Sequence, residues 1–271
     1  MTKNTIGQED WEEREERELP EPVSKDFRKS GISYSLAKTN VEYREGHEAS
    51  EYFLGEILES LGGHSTQYFT EEVQRLTNKY SFLRDGAWFA KDASVPYCKP
   101  LNPRRDVYNL HKLVKYETPP GARAAPLLPA LDSLTAEKLG TKPEFFWHEV
   151  VSRGRSIGIT EGFKKGLCLC AYGLPSIAIR GVTQWHLKDT SELHPEIERF
   201  ATEGRTIYVL FDQDKKPKTR NQVDKQRMKL SRVLEQKGCD VRFPEWNLDE
   251  GKGIDDVLAK YIDPNDLFDR E

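Results

Sequence analysis

Residues 156–166 read SIGITEGFKKG. Four apolar or small residues and a threonine form a short run that stops on an acid, Glu161, and a glycine and two lysines follow at once. A buried strand that ends in this way and turns directly into a helix is the first half of a strand–helix–strand unit. The same alternation continues downstream. GFKKGLCLCAYG reads as a helix, PSIAIRGV as a strand, LHPEIERFATEG as a helix and TIYVLF as a strand. RNQVDKQRMKLSRVLEQKG then reads as a helix closed by Gly238, CDVRFPEW as a strand and IDDVLAKYI as a last helix. Short apolar strands separated by helices of this length predict an α/β fold, a parallel sheet with helices on both faces.

In such sheets the functional crevice lies beyond the carboxyl ends of the strands. Three acidic groups fall at or near those ends: Glu161, the pair Asp212 and Asp214 in FDQD, and Asp255 with Asp256 in GKGIDD. Residues two apart in extended chain point the same way, so Asp212 and Asp214 aim together. Carboxylates that close repel unless a cation lies between them. Mg²⁺ and Mn²⁺ prefer oxygen donors, and Mg²⁺ commonly takes one or two carboxylates plus water and substrate phosphates. The expected metal ligands are therefore Glu161, Asp212, Asp214, Asp255 and Asp256. Asp255 reads equally well as the N-cap of the last helix.

Bases stand beside these acids. Between Lys215 and Arg232 there are eight lysines and arginines against one acid, Asp224. Val223, Leu230, Val233 and Leu234 form an apolar stripe, so this helix packs on the sheet whatever its bases do. Lys215, Lys216 and Lys218 follow the DxD directly, where a phosphate would arrive. Lys164 and Lys165 open the helix after Glu161, and Arg180 and Lys252 lie on the same sheet edge. Arg104, Arg105 and Lys115 either extend a nucleic-acid track or belong to a plain exposed hairpin.

Composition narrows the class. The net charge is −4, but residues 1–23 alone carry −5, which leaves a nearly neutral body. No apolar run approaches the roughly 18 residues of a membrane span, and the first residues lack a signal core, so a cytoplasmic protein is expected. Four cysteines without CxxC pairing exclude a zinc ribbon. There is no GxxxxGK[ST] and no HExxH, which argues against a P-loop hydrolase and a zincin. Upstream of residue 150 the reading is an acidic disordered tail over 1–23, a helical accessory region over 24–95 and a β-hairpin and loop lead-in over 96–150. GAWFA at 86–90 and the stretch 107–121 are its expected strands, and 151–271 is the catalytic domain.

Glu161 in ITEG, Asp212 and Asp214 in VLFDQD and the later EGKGIDDVL together resemble the Toprim domain, the metal-binding fold of bacterial-type primases, topoisomerases and some nucleases. The order ITEG-KK, FD-D, KGIDD is more closely similar to Toprim-like domains of cyanobacterial, plasmid and phage replication proteins. NPRR, VKYETPPG and NKYSFLRDGAWFA resemble that group's upstream segments, so the likeness runs over roughly 26–268. It implies a Toprim-type sheet preceded by a small helical and β accessory region. It also implies Glu161 as general acid, base or metal ligand, Asp212 and Asp214 as ligands of Mg²⁺ or Mn²⁺, and a primase-like nucleotidyltransferase in DNA replication. A metal-dependent nuclease and a non-catalytic DNA-binding replisome module are the alternatives. Single-stranded DNA and nucleotides, with a replicative helicase or polymerase, are the implied partners.

Overall fold

A computed structural model describes residues 18–60, 71–122, 125–214 and 216–260. In chain order these form α1 (Glu21–Arg28), α2 (Tyr34–Asn40), β1 (Val41–Arg44), α3 (Gly46–Ser60), α4 (Glu71–Lys79), β2 (Ala87–Ala90), β3 (Cys98–Pro100), α5 (Ser133–Lys138) and α6 (Phe146–Ser152). There follow β4 (Ile157–Glu161), α7 (Phe163–Ala171), β5 (Ser176–Ile179), α8 (Pro195–Glu198), β6 (Thr206–Leu210), α9 (Pro217–Gln236), β7 (Asp240–Arg242) and α10 (Ile254–Leu258). Among the described residues no helix is long and apolar enough to cross a membrane.

The second half is the expected α/β unit. Its four strands are all parallel, in the order β5-β4-β6-β7. Side chains alternate across a strand, and the two faces are sorted accordingly. Ile157, Ile159, Ile177, Ile179, Ile207, Val209 and Phe211 pack with Val150 of α6 and with Leu230 and Leu234 of α9. Ala178 and Leu210 face the opposite way, onto Leu167 of α7 and Ile254 and Leu258 of α10. That second face is lined with small residues, and α7 sits close on it. A Cβ built on Gly166 would lie 3.0 Å from the Cβ of Ala178, and one on Gly158 would lie 2.4 Å from Ser176 Oγ. Ser176 Oγ donates to Leu174 O at 3.0 Å and is held in place. Gly158→Ala therefore forces β4 off β5. The expected loss is about 1–3 kcal/mol, read as a lowered urea midpoint at unchanged slope.

The first half differs from the sequence reading in three places. GAWFA forms β2 as expected, but β2 pairs antiparallel with β1 and β3, which the sequence reading did not place, so the accessory region holds a three-stranded sheet beside its helices. The segment 107–121 forms no strand. It carries only the isolated bridges Arg105 to Leu113 and Cys98 to Glu117, because Asp106 Oδ1 turns the chain by accepting from the amides of Tyr108 and Asn109. The expected tail boundary at 23 also moves toward the N-terminus, since Leu19 and Val23 are buried and α1 begins at Glu21; residues 1–17 of that tail lie outside the described residues.

Trp88 joins the two sheets. Its ring lies 5.4 Å from Phe27, 6.0 Å from Tyr116 and 6.4 Å from Phe163, in one continuous core with α7 and α10. Burying so large a ring contributes several kcal/mol. It also fixes the accessory sheet against the helix that follows Glu161.

Candidate functional site

β4 and β6 are neighbours at the point where the chain's connections part, toward β5 on one side and toward β7 on the other. Switch points of this kind open a crevice at the strands' carboxyl ends. Thr160 pairs with Leu210, so Glu161 at the end of β4 and Asp212 just past β6 emerge side by side. Gly162 takes φ +95° and donates its N–H to Ile179 O at 2.8 Å, turning the chain sharply into α7. Consecutive helical residues point about 100° apart, and the two lysines separate there. Lys165 turns to the crevice, where its Nζ lies 3.1 Å from Asp212 Oδ1. Lys164 turns inward and pairs with Asp26 Oδ1 at 3.0 Å.

The loop before α10 closes the crevice. Gln213 N donates to Lys252 O at 3.1 Å, and Lys252 Nζ reaches Asp214 Oδ2 at 2.9 Å. Asp214 Oδ1 accepts from the backbone of Lys216 at 2.8 Å, so both its oxygens are engaged. The Lys252 hydrogen bond, followed by that amide, holds the Asp214 carboxyl below the usual carboxylate range. Asp256 Oδ2 accepts from Gly253 N at 3.1 Å and caps α10. Asp255 Oδ2 accepts from Ser30 Oγ at 2.8 Å, and its Oδ1 and the Lys165 side chain both border Gly253.

Glu161 is the exception. Among the described residues it has no hydrogen-bond or ion-pair partner. Burial, and then the charge of Asp212, push its carboxyl above the usual range, against the pull of Lys165 and Lys252. Asp212 Oδ1 is buried and receives no aligned hydrogen bond, although the Lys165 ammonium stands near it. Two coupled carboxyls with oxygens to spare fit a divalent ion. Among the described residues no three His, Cys, Asp or Glu side chains gather as a closed cage. The donor set thus suits an ion that completes its shell with water and substrate phosphate.

Of the other expected residues, Lys216 and Lys218 are exposed at the start of α9, and Lys215 lies outside the described residues. Arg180 does not reach the carboxylates. Its Nη2 donates to Val95 O at 3.1 Å and its guanidinium lies 4.8 Å from the Tyr97 ring centre. Asp212 and Asp214 also line a cavity of about 230 Å³ with Arg220, Arg227 and Glu245. The sequence reading did not single out Ser30, which holds Asp255 from 225 residues away, and no local signal marks it. Gly253, which leaves room for Lys165, had one, as a glycine immediately before the helix that carries the acid pair.

The comparisons bear on the fold. A domain of unknown function, DUF3854, matches residues 146–263, which takes in β4 through α10. An uncharacterized protein of Picosynechococcus sp. is 30% identical over 259 residues, covering 86% of this chain. The chain spans only 25% of that relative's length. The crystal structure of the Aquifex aeolicus primase, its zinc-binding and RNA polymerase domains, superposes with a TM-score of 0.50 at 15% identity. That match covers 92% of this chain and 55% of the other. The chain therefore has a primase-like fold. Its own cysteines are four buried free thiols, Cys98, Cys168, Cys170 and Cys239.

Proposed function

We propose that the chain is a divalent-metal-dependent, primase-like nucleotidyltransferase that extends oligonucleotides on single-stranded DNA during plasmid or phage replication. The observation that carries this is the convergence of Glu161 and Asp212 at the switch point between β4 and β6, with Lys165 and Lys252 beside them. The primase-like fold supports the same reading. Mg²⁺ or Mn²⁺ held there by Glu161 and Asp212 would activate the primer 3′-hydroxyl and offset charge on the phosphates. A Glu161 oxygen left free by the ion would take the hydroxyl proton as the hydroxyl oxygen bonds to the nucleotide's α-phosphorus and pyrophosphate leaves. Asp212 would help hold that ion beside the reacting phosphate. Lys252, Lys216 and Lys218 face solvent on this edge and bind the departing phosphates.

For the template strand, Arg104 is engaged elsewhere, because its Nε lies 2.7 Å from Oε1 of the buried Glu117. Lys112 and the Tyr108 ring, which is 97% exposed, on the 105–113 loop, and Lys115 just past it, remain for phosphate contact and base stacking. A replicative helicase or polymerase is the proposed protein partner.

Product analysis tests the reading. The full chain, with single-stranded DNA, labelled nucleotides and Mg²⁺ or Mn²⁺, should yield new oligonucleotides. Shortened DNA would instead define a nuclease, and a mobility shift without either product a binding module.

A further inference from the structure

Lys165 occupies an unusual place for a surface lysine. Its side chain is 18% exposed and that of Asp212 is 22% exposed, and three elements far apart in sequence meet around its ammonium. Asp212 comes from the end of β6, Asp255 from the start of α10 and Lys165 itself from the first turn of α7. Gly253 shows how tightly they meet. A Cβ there would lie 2.6 Å from Lys165 Cε, 2.7 Å from Asp255 Oδ1 and 3.3 Å from Asp212 Oδ1. Only a residue without a side chain leaves the lysine its berth.

We propose that Lys165 is a resident cation that stands where a second divalent ion would bind, so that the centre takes up a single ion on its Glu161 side. The inference rests on the metal-dependent reading above. Two-metal centres place their cations roughly 3.5–4 Å apart with a carboxylate between them. Here Asp212 is that shared carboxylate: Lys165 approaches its Oδ1, and Glu161, which has no partner among the described residues, emerges beside it from the neighbouring strand. A divalent ion at the Asp212–Asp255 position would have to displace a largely buried ammonium paired with Asp212 and close to Asp255. Asp255 has its second oxygen fixed by Ser30 and serves the lysine rather than a metal.

Mn²⁺ binding to the full chain, followed by electron paramagnetic resonance and calorimetry, tests this without any turnover assay. The wild type should bind one ion per chain. Lys165→Gln should bind two, and Lys165→Arg should stay at one. Asp255→Asn, which leaves the buried lysine in place and covers the case of a misfolded Lys165 variant, should change the affinity of the single site by less than about threefold. Two ions on the wild type, one ion on a folded Lys165→Gln, or a tenfold or greater loss of affinity in Asp255→Asn would each overturn the inference while leaving the metal reading standing. No Mn²⁺ binding by the wild type would overturn both.

Discussion

Glu161→Gln and Asp212→Asn are each expected to lower metal-dependent oligonucleotide synthesis by at least about 100-fold, because losing a direct donor should cost more than losing a residue that merely orients one. Both amides keep the shape of the carboxyl and remove its charge. For Glu161 nothing structural is lost with the charge, since no described residue hydrogen-bonds to it. The neutral side chain also relieves its repulsion with Asp212, so Glu161→Gln should fold as well as the wild type or slightly better. Asp212→Asn removes the partner of Lys165 and should lower the melting temperature as well as the activity. Asp214→Asn should be milder, about tenfold, because both oxygens of Asp214 already serve Lys252 and the Lys216 amide. The measurement is nucleotide incorporation beside Mn²⁺ affinity and thermal melting for each variant. Full incorporation by Glu161→Gln at an unchanged melting temperature would remove Glu161 from the chemistry.

The parallel sheet was legible because its information is local. SIGIT, SIAI and TIYVL are apolar runs of strand length, each followed by a turn signal and a helical period, and β4, β5 and β6 fall on them. Placing the acids needed only the rule that such sheets work at their carboxyl ends, and Glu161 and Asp212 emerge there together. Of the accessory sheet only the central strand was legible, GAWFA falling on β2. VEYR becomes β1 only because Val41 and Tyr43 find Ala90 and Trp88 across an antiparallel ladder, and nothing within four residues announces that pairing. In 107–121 the reverse holds, for Val107, Tyr108 and Leu110 have strand propensity but no face to cover, and all three are exposed. Propensity for strand is largely a measure of fitting a half-buried pleated surface, and it fails where no such surface exists. The different fates of Lys164 and Lys165 were equally hidden. The sequence shows two adjacent lysines, and only the direction of α7 assigns one to Asp26 and the other to Asp212.

Asp26 is where the largest loss of stability is expected. It lies in α1, and its Oδ2 accepts from Lys99 Nζ of β3 at 2.7 Å while its Oδ1 meets Lys164 Nζ of α7 at 3.0 Å. Lys164 also donates to the Asp26 carbonyl at 2.8 Å. One carboxylate thus ties the accessory sheet and the first helix to the helix that carries Lys165. The three side chains are 26%, 25% and 11% exposed, in the order Asp26, Lys99, Lys164. Asp26→Ala leaves two like charges facing each other without their counter-ion. Breaking a fully buried pair costs about 3–5 kcal/mol, and partial solvent access reduces that here to roughly 2–3 kcal/mol. In a double-mutant cycle, adding Lys164→Met should recover part of the loss, because it removes one of the stranded charges. The sign of the pH dependence follows from the same contacts. Burial raises the Asp26 pKa, but the Lys99 hydrogen bond and the Lys164 charge overcome it, and the folded value lies below the unfolded one. Asp26 therefore contributes its full stability above the unfolded aspartate value of about 3.9, and the contribution disappears as pH falls through the lowered folded value. Lys99 behaves oppositely, since burial outweighs Asp26 and lowers its pKa, so its strain is present at neutral pH and relaxes only as pH rises through that lowered value. Urea unfolding across an acid series should show wild-type stability dropping below the ordinary aspartate range, with that segment of the curve missing in Asp26→Ala. A wild type and variant that unfold at the same urea midpoint at pH 7 would mean that α1 is not anchored through this carboxylate.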